Sequence, residues 1–292
     1  GLSAAIGLTA CSQQESPETT PVKTSTTQPT QAAIASAHPL ATAAGMDILA
    51  SGGNAFDAAI AVAASLGVVE PYSAGLGGGG FWLIHDAKAK KNTFIDAREK
   101  APSAAHADLY LNKDGSVNHD IAVNGALAAG IPGQAAAFVH LAEKYGQLPL
   151  KKTLAAAIQQ ANEGFPVYHH FQKLVGYRLE NLKRYPTSAN LFLDAEQNIP
   201  EVGHLIKQPD LAWTLQQIAD KGFDGFYKGE SARRLVAGVQ AANGIWTLED
   251  LANYNIVERE PIEIDYKDYK VVSAPPPSSG GIAIAAMLNM LS

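Results

Sequence analysis

The 292-residue sequence predicts a mixed α/β class, and three observations predict it. Long segments rich in Ala, Leu and Ile are bounded by Gly and Pro, the residues that start and stop helices. Two aromatic and β-branched runs, 81–86 and 91–98, flank a charged turn and read as a β-hairpin. Near the end, residues 262–275 alternate as two short strands. Composition agrees, because 47% hydrophobic and 17% charged residues describe a globular chain rather than a disordered one.

The first residues are of another kind. Leu8-Thr9-Ala10-Cys11 has the form of a bacterial lipobox, an apolar residue and two small ones before a cysteine. The apolar residues ahead of it read as the tail of a signal peptide without its charged start. Residues 1–11 are therefore expected to end a lipoprotein signal peptide, with Cys11 as the lipidated residue. The plainer reading of Cys11 is a small thiol buried in a helix. As the sole cysteine it cannot form an intramolecular disulfide. Residues 12–34 begin SQQESPETTPVKTSTTQPTQAA, too polar to bury a core, and read as a disordered tether. This layout predicts a protein of the bacterial periplasm or cell envelope, anchored to a membrane by lipid rather than spanning it.

Residues 35–292 read as the globular region. A helix is expected over 38–53, with Pro39 in its first turn and Gly52-Gly53 as its stop. A second follows from Asn54, a suitable N-cap, to Pro71, and its small and apolar residues all round predict burial. After the hairpin come a hairpin-like loop around Asp114-Gly115 and two helices within 131–167, broken at Gly146 and Pro149. Helical character continues over 168–184, and two more helices within 208–254 stop at Gly222 and Gly244. A last helix opens at Gly280, and its pattern is still running at Leu291-Ser292, which predicts a longer parent chain.

Several functions are disfavoured. With 22 basic and 28 acidic residues there is no basic stripe for nucleic acid. None of the eight histidines has metal-ligand spacing, and no G-x-S-x-G elbow occurs. Gly75 to Gly80 spells G-x-G-x-x-G, but a helix precedes it and a strand follows, the reverse of a dinucleotide-binding loop. No metal and no cofactor is expected. The glycines read better as close packing beside Arg98, which ends the hairpin between Asp96 and Glu99. Its planar fork suits a substrate carboxylate, with Asp96 or Glu99 holding it in place. The plainer reading is a structural ion pair.

The stretches HPLATAAGMDILASGGNAFDAAIAVAASLGVVEPYSAGLGGGGFWLIHD, IDAREKAP, IPGQAAAFVHLAEKYGQLPLKK, QPDLAWTLQQIADKGFDGFYKGE, TLEDLANY and APPPSSGG resemble the γ-glutamyltransferase (γ-glutamyltranspeptidase) family. The likeness runs from His38 to Ser292 and is weakest over 168–200. It implies an Ntn-hydrolase fold, a four-layer αββα sandwich, incomplete in this chain. It implies the large-subunit part of a precursor that cuts itself before a threonine, giving a small subunit as partner. That threonine would be the nucleophile of a glutathione hydrolase and γ-glutamyltransferase, passing the γ-glutamyl group to water or to an amino-acid or peptide acceptor. No residue of the present chain fills that role, so the chain alone is expected to be inactive. Arg98 matches the family arginine that binds the glutamyl α-carboxylate, although Ala97 stands where the family often has Gly. Tyr72, Ser73 and Glu99 are possible supporting groups, and Ser278 and Ser279 read as a turn and helix N-cap. The alternatives are an amidase like the cephalosporin acylases, or a non-catalytic fragment that binds glutamyl compounds.

Overall fold

The computed structural model describes residues 32–291. Cys11 and nearly all of the 12–34 segment lie outside the described residues. The chain separates into two units, 1–32 and 33–292, and every described element belongs to the second.

Helix α1 (Pro39–Ala50) opens as expected on Pro39, and the His38 ring accepts the Leu40 N–H at 3.2 Å. Helix α2 (Ala55–Val69) begins with a capping box. Asn54 Oδ1 accepts the Asp57 N–H at 3.0 Å, and Asp57 Oδ2 accepts the Asn54 N–H at 2.9 Å. From Phe56 to Glu70 no residue is exposed, as its apolar surface predicted. The helix stops at Val69, two residues before Pro71, which cannot continue it.

Strands β1 (Gly80–Asp86) and β2 (Lys91–Ala97) form the predicted hairpin, paired from Gly80↔Ala97 to Asp86↔Lys91. Then come α3 (His119–Val123), α4 (Gln134–Lys144), α5 (Leu150–Thr153) and α6 (Ala155–Glu163). The expected helix over 150–163 is thus two. The Thr153 hydroxyl donates to the Leu150 carbonyl at 3.2 Å, a local bond that competes with the helical ladder. The loop around Asp114-Gly115 closes with a single bridge, Leu111↔Val117.

Strand β3 (Phe165–Pro166) pairs with β4 (Leu205–Ile206), and between them lie α7 (His169–Gly176), α8 (Leu179–Lys183) and α9 (Pro186–Phe192). Next are α10 (Pro209–Lys221), α11 (Asp224–Tyr227), α12 (Gly229–Ala241) and α13 (Leu248–Ala252). Strand β5 (Val257–Arg259) adds to the hairpin, giving the sheet order β1-β2-β5. The pair β6 (Ile262–Tyr266) and β7 (Tyr269–Ser273) and the helix α14 (Gly280–Met290) complete the described elements.

Burying a large apolar side chain contributes about 1.5–3 kcal/mol, and the core here is made of many. Ile60 and Val68 of α2, Ile95 of β2, Phe138 and Leu141 of α4, and Leu215 of α10 are at most 1% exposed. Trp82 of β1 meets Phe138 edge-on, so α4 covers one face of the three-stranded sheet. On the other face Phe81 and Leu83 are 36% and 48% exposed. The class is the mixed α/β one: α4 covers one face of the sheet, and on the other face Phe81 and Leu83 of β1 are open while Phe94 of β2, paired with Leu83, is buried.

Candidate active site

Arg98 is the first residue past β2, so its peptide groups fall outside the β1–β2 ladder and need other partners. Its N–H donates to Asp96 Oδ1 at 3.1 Å, and its carbonyl accepts the Tyr254 hydroxyl at 2.9 Å. The side chain is 58% exposed. Its neighbours are Glu99 Oε2, 3.8 Å from Nε, and the Phe81 ring, 5.8 Å from the guanidinium carbon. The structure thus chooses between the two acidic flanks: Glu99 approaches the fork, and Asp96 does not hold it. Asp96 Oδ2 instead accepts from Arg259 Nε at 3.0 Å and Nη2 at 2.9 Å.

The glycine run lies beside this arginine, and no helix N-terminus follows it. A Cβ on Gly79 would meet the Ala97 carbonyl oxygen and stand 2.9 Å from the Glu99 nitrogen, both closer than real Cβ atoms come, with the Arg98 Cα at 3.0 Å. Gly133 is pressed in the same way against the Ala97 carbonyl and the Tyr254 hydroxyl. These two glycines let three backbone segments meet around residues 97–99. The Gly79 N–H donates to Glu99 Oε1 at 2.6 Å, which ties the run to the arginine's neighbour. Residues 71–75 and 77–79, with Glu99, line a cavity of about 380 Å³.

Tyr72 and Ser73 stand on the wall of that cavity. Tyr168 donates to the Val69 carbonyl at 2.9 Å, so Tyr72 is the donor in the 2.6 Å bond between the two hydroxyls. Burial raises both phenol pKa values, and both remain protonated near neutral pH. Ser279 sits at the α14 N-cap without a side-chain bond, whereas Ser278 Oγ accepts the Gly280 N–H at 3.3 Å. Both serines serve the turn, as expected, though it is Ser278 that caps. Among the described residues no three His, Cys, Asp or Glu side chains converge as metal ligands.

Compared with known proteins, the chain matches the sequence profile described as Gamma-glutamyltranspeptidase over residues 41–292. The chain belongs to the gamma-glutamyltranspeptidase family. Its likeness to the glutathione hydrolase proenzyme of Escherichia coli is 42% identity over 262 residues, covering 89% of this chain and 45% of that protein. The chain therefore spans less than half the length of that curated relative. The crystal structure of Helicobacter pylori gamma-glutamyltranspeptidase matches with a TM-score of 0.87 and 37% identity, over 91% of this chain and 76% of that one. A cephalosporin acylase from Bacillus halodurans matches with a TM-score of 0.75 and 35% identity, over 82% of this chain and 45% of the other. The Ntn-hydrolase assignment made from sequence is thus shared with solved structures of the same mixed fold.

Two residues of this candidate site carry no role in the sequence reading. Tyr254 lies in the TLEDLANY stretch that helped mark the family, yet nothing in that stretch says what its hydroxyl meets. Burial chiefly, and then the charges of Asp96 and Glu99, push its pKa well up, so it stays an O–H donor. Arg259 has no motif around it at all, and only the β2–β5 pairing brings it to Asp96.

Proposed function

We propose that the complete protein cleaves γ-glutamyl amides, glutathione among them, and passes the γ-glutamyl group to water or to an amino-acid or peptide acceptor. Arg98 supports this reading most directly. A guanidinium rooted by both of its peptide groups and 58% exposed is suited to the α-carboxylate of a glutamyl donor. Holding that carboxylate fixes the γ-carbonyl relative to a nucleophile, and such positioning supplies much of the rate in acyl transfer. Bond breaking is assigned to the threonine of a small subunit released by self-cleavage, whose hydroxyl and free amine act as nucleophile and base. These 292 residues then supply substrate recognition and part of the scaffold.

Arg98→Ala in the complete protein tests the reading. Loss of a charge-assisted pair is expected to raise KM for γ-glutamyl-p-nitroanilide by roughly 10- to 100-fold while self-cleavage continues. An unchanged KM sinks the carboxylate assignment. The match to a cephalosporin acylase favours a second reading, an amidase for other carboxylate-bearing acyl groups. Comparing kcat/KM for a γ-glutamyl and a glutaryl anilide separates the two, because the glutaryl group keeps the carboxylate but lacks the α-amino group that glutamyl carries.

We also propose that the protein is held in the bacterial envelope by lipid on Cys11, with residues 12–34 as tether. The lipobox-like Leu8-Thr9-Ala10-Cys11 supports this. Cys11→Ala is expected to shift the protein from the membrane fraction to the soluble one. Full retention in the membrane counts against it.

A further inference from the structure

An arginine between two carboxylates is a poor receptor for a third, unless its neighbours are already engaged. Both neighbours of Arg98 are. Glu99 Oε1 accepts the Gly79 N–H at 2.6 Å, and its other oxygen stays 3.8 Å from Arg98 Nε. Asp96 has a side chain only 9% exposed, and its Oδ2 accepts two N–H groups of Arg259 at 3.0 and 2.9 Å. Its Oδ1 accepts the Arg98 backbone N–H at 3.1 Å. We infer that Arg259 and Tyr254 are positioning residues for Arg98: Arg259 draws Asp96 away from the Arg98 guanidinium, and Tyr254 fixes the peptide from which that guanidinium projects. The inference rests on the reading of Arg98 as the carboxylate-binding residue.

The second part of the device is rigid. Tyr254 is 4% exposed and stacks on Tyr227, with ring centroids 5.4 Å apart and planes at 10°. Tyr227 in turn donates to the Pro132 carbonyl at 2.8 Å. One short segment, 254–259, thus anchors Arg98 at its carbonyl directly and at its N–H through Asp96. An arginine side chain is a long lever, and a misplacement of about 1 Å at a reacting centre can cost on the order of 100-fold. Without Arg259 the buried Asp96 carboxylate loses its two charge-assisted bonds, and Arg98, whose backbone N–H Asp96 already accepts, becomes a competing cation for it. The Arg98 fork would then be occupied before substrate arrives.

The test uses the complete, self-processed protein with two donors, γ-glutamyl-p-nitroanilide and the same anilide of 4-aminobutyrate, which lacks the α-carboxylate. Arg259→Gln is expected to raise KM about tenfold for the first donor only, with kcat within about twofold. Adding Asp96→Asn removes the competing charge and keeps an oxygen for the Arg98 N–H. The double variant is expected to return KM to within about threefold of wild type, a rescue that a general loss of packing does not produce. Tyr254→Phe, which keeps the ring stack, is expected to raise KM about threefold, and it serves if Arg259→Gln fails to fold. Equal losses on both donors, or no rescue by Asp96→Asn, overturns the inference. If Arg259→Gln does not fold, an unchanged KM in Tyr254→Phe overturns it. Arg98→Ala run alongside separates the failures. A raised KM there with an unchanged KM in Arg259→Gln rejects the positioning role alone, whereas no effect of Arg98→Ala rejects both.

Discussion

At the scale of single residues, the site depends on where side chains are missing. Gly79→Ala forces a methyl group against the backbone of residues 97–99, which cannot rotate aside as a side chain would. The expected cost is about 1–3 kcal/mol, the usual range for overpacking, together with a raised donor KM as Arg98 shifts. Gly77→Ala is the control, because nothing stands within 4 Å of its added Cβ. Thermal unfolding of the two variants checks the contrast, and equal melting temperatures refute it. The placement of Arg98 at a strand end beside the glycine run was legible in the sequence, because strand and acidic flanks adjoin it and the glycines open the same hairpin. Its positioning partners were not legible, since Tyr254 and Arg259 stand 156 and 163 residues from the groups they bond. No local pattern encodes a hydrogen bond across that separation.

At the scale of elements, two carboxylates lock helices to their surroundings. Asp57 is fully buried, and beyond capping α2 it accepts the Gln147 N–H at 3.0 Å and the Leu148 N–H at 3.3 Å from the loop between α4 and α5. Asp57→Ala strands these donors and the Asn54 N–H away from water. A loss of about 3 kcal/mol in urea unfolding is expected, and a loss under about 1 kcal/mol contradicts the clamp. Glu258 of β5 ties the sheet to α4 through Lys144 Nζ at 2.6 Å, His140 Nε2 at 2.8 Å and the Tyr145 hydroxyl at 2.7 Å. Burial pushes the Glu258 pKa up, but these three donors outweigh burial and bring it down to about 2, from an ordinary 4.5. A lowered folded-state pKa gives stability that is present above about 4.5 and is lost as pH falls toward 2. Glu258→Gln is therefore expected to cost stability at pH 7 and to flatten the acid limb of the stability curve between those values. An acid limb unchanged from wild type removes Glu258 from the account. Helix positions were legible here from Gly, Pro and Asn punctuation. The clamps between helices were not, because Asp57 and Glu258 bond groups 90 to 118 residues away, which no local pattern marks.

At the scale of the whole molecule, the described unit shows water more apolar surface than its core composition requires. Helix α14 is apolar almost throughout, yet Ile282, Met287 and Met290 are 51%, 52% and 76% exposed. On the sheet, Phe81 and Leu83 face outward beside the candidate site. Scattered exposed apolar residues are ordinary, but a helix apolar on all sides is normally buried. A mixed α/β sandwich covers both faces of its β-layer, and here α4 covers one. If the proposed small subunit packs on these surfaces, the amide protons of α14 exchange slowly in the complete protein and fast in residues 1–292 expressed alone. Ile282→Glu with Met287→Glu is then expected to weaken retention of the small subunit on the large one, because two charges enter an apolar contact. The same double substitution should reduce dye binding by the isolated chain, whose exposed apolar surface it removes. Equal exchange of α14 in both forms, with full retention of the small subunit in the double variant, would mean that the helix stays in water and that the missing layer is built elsewhere.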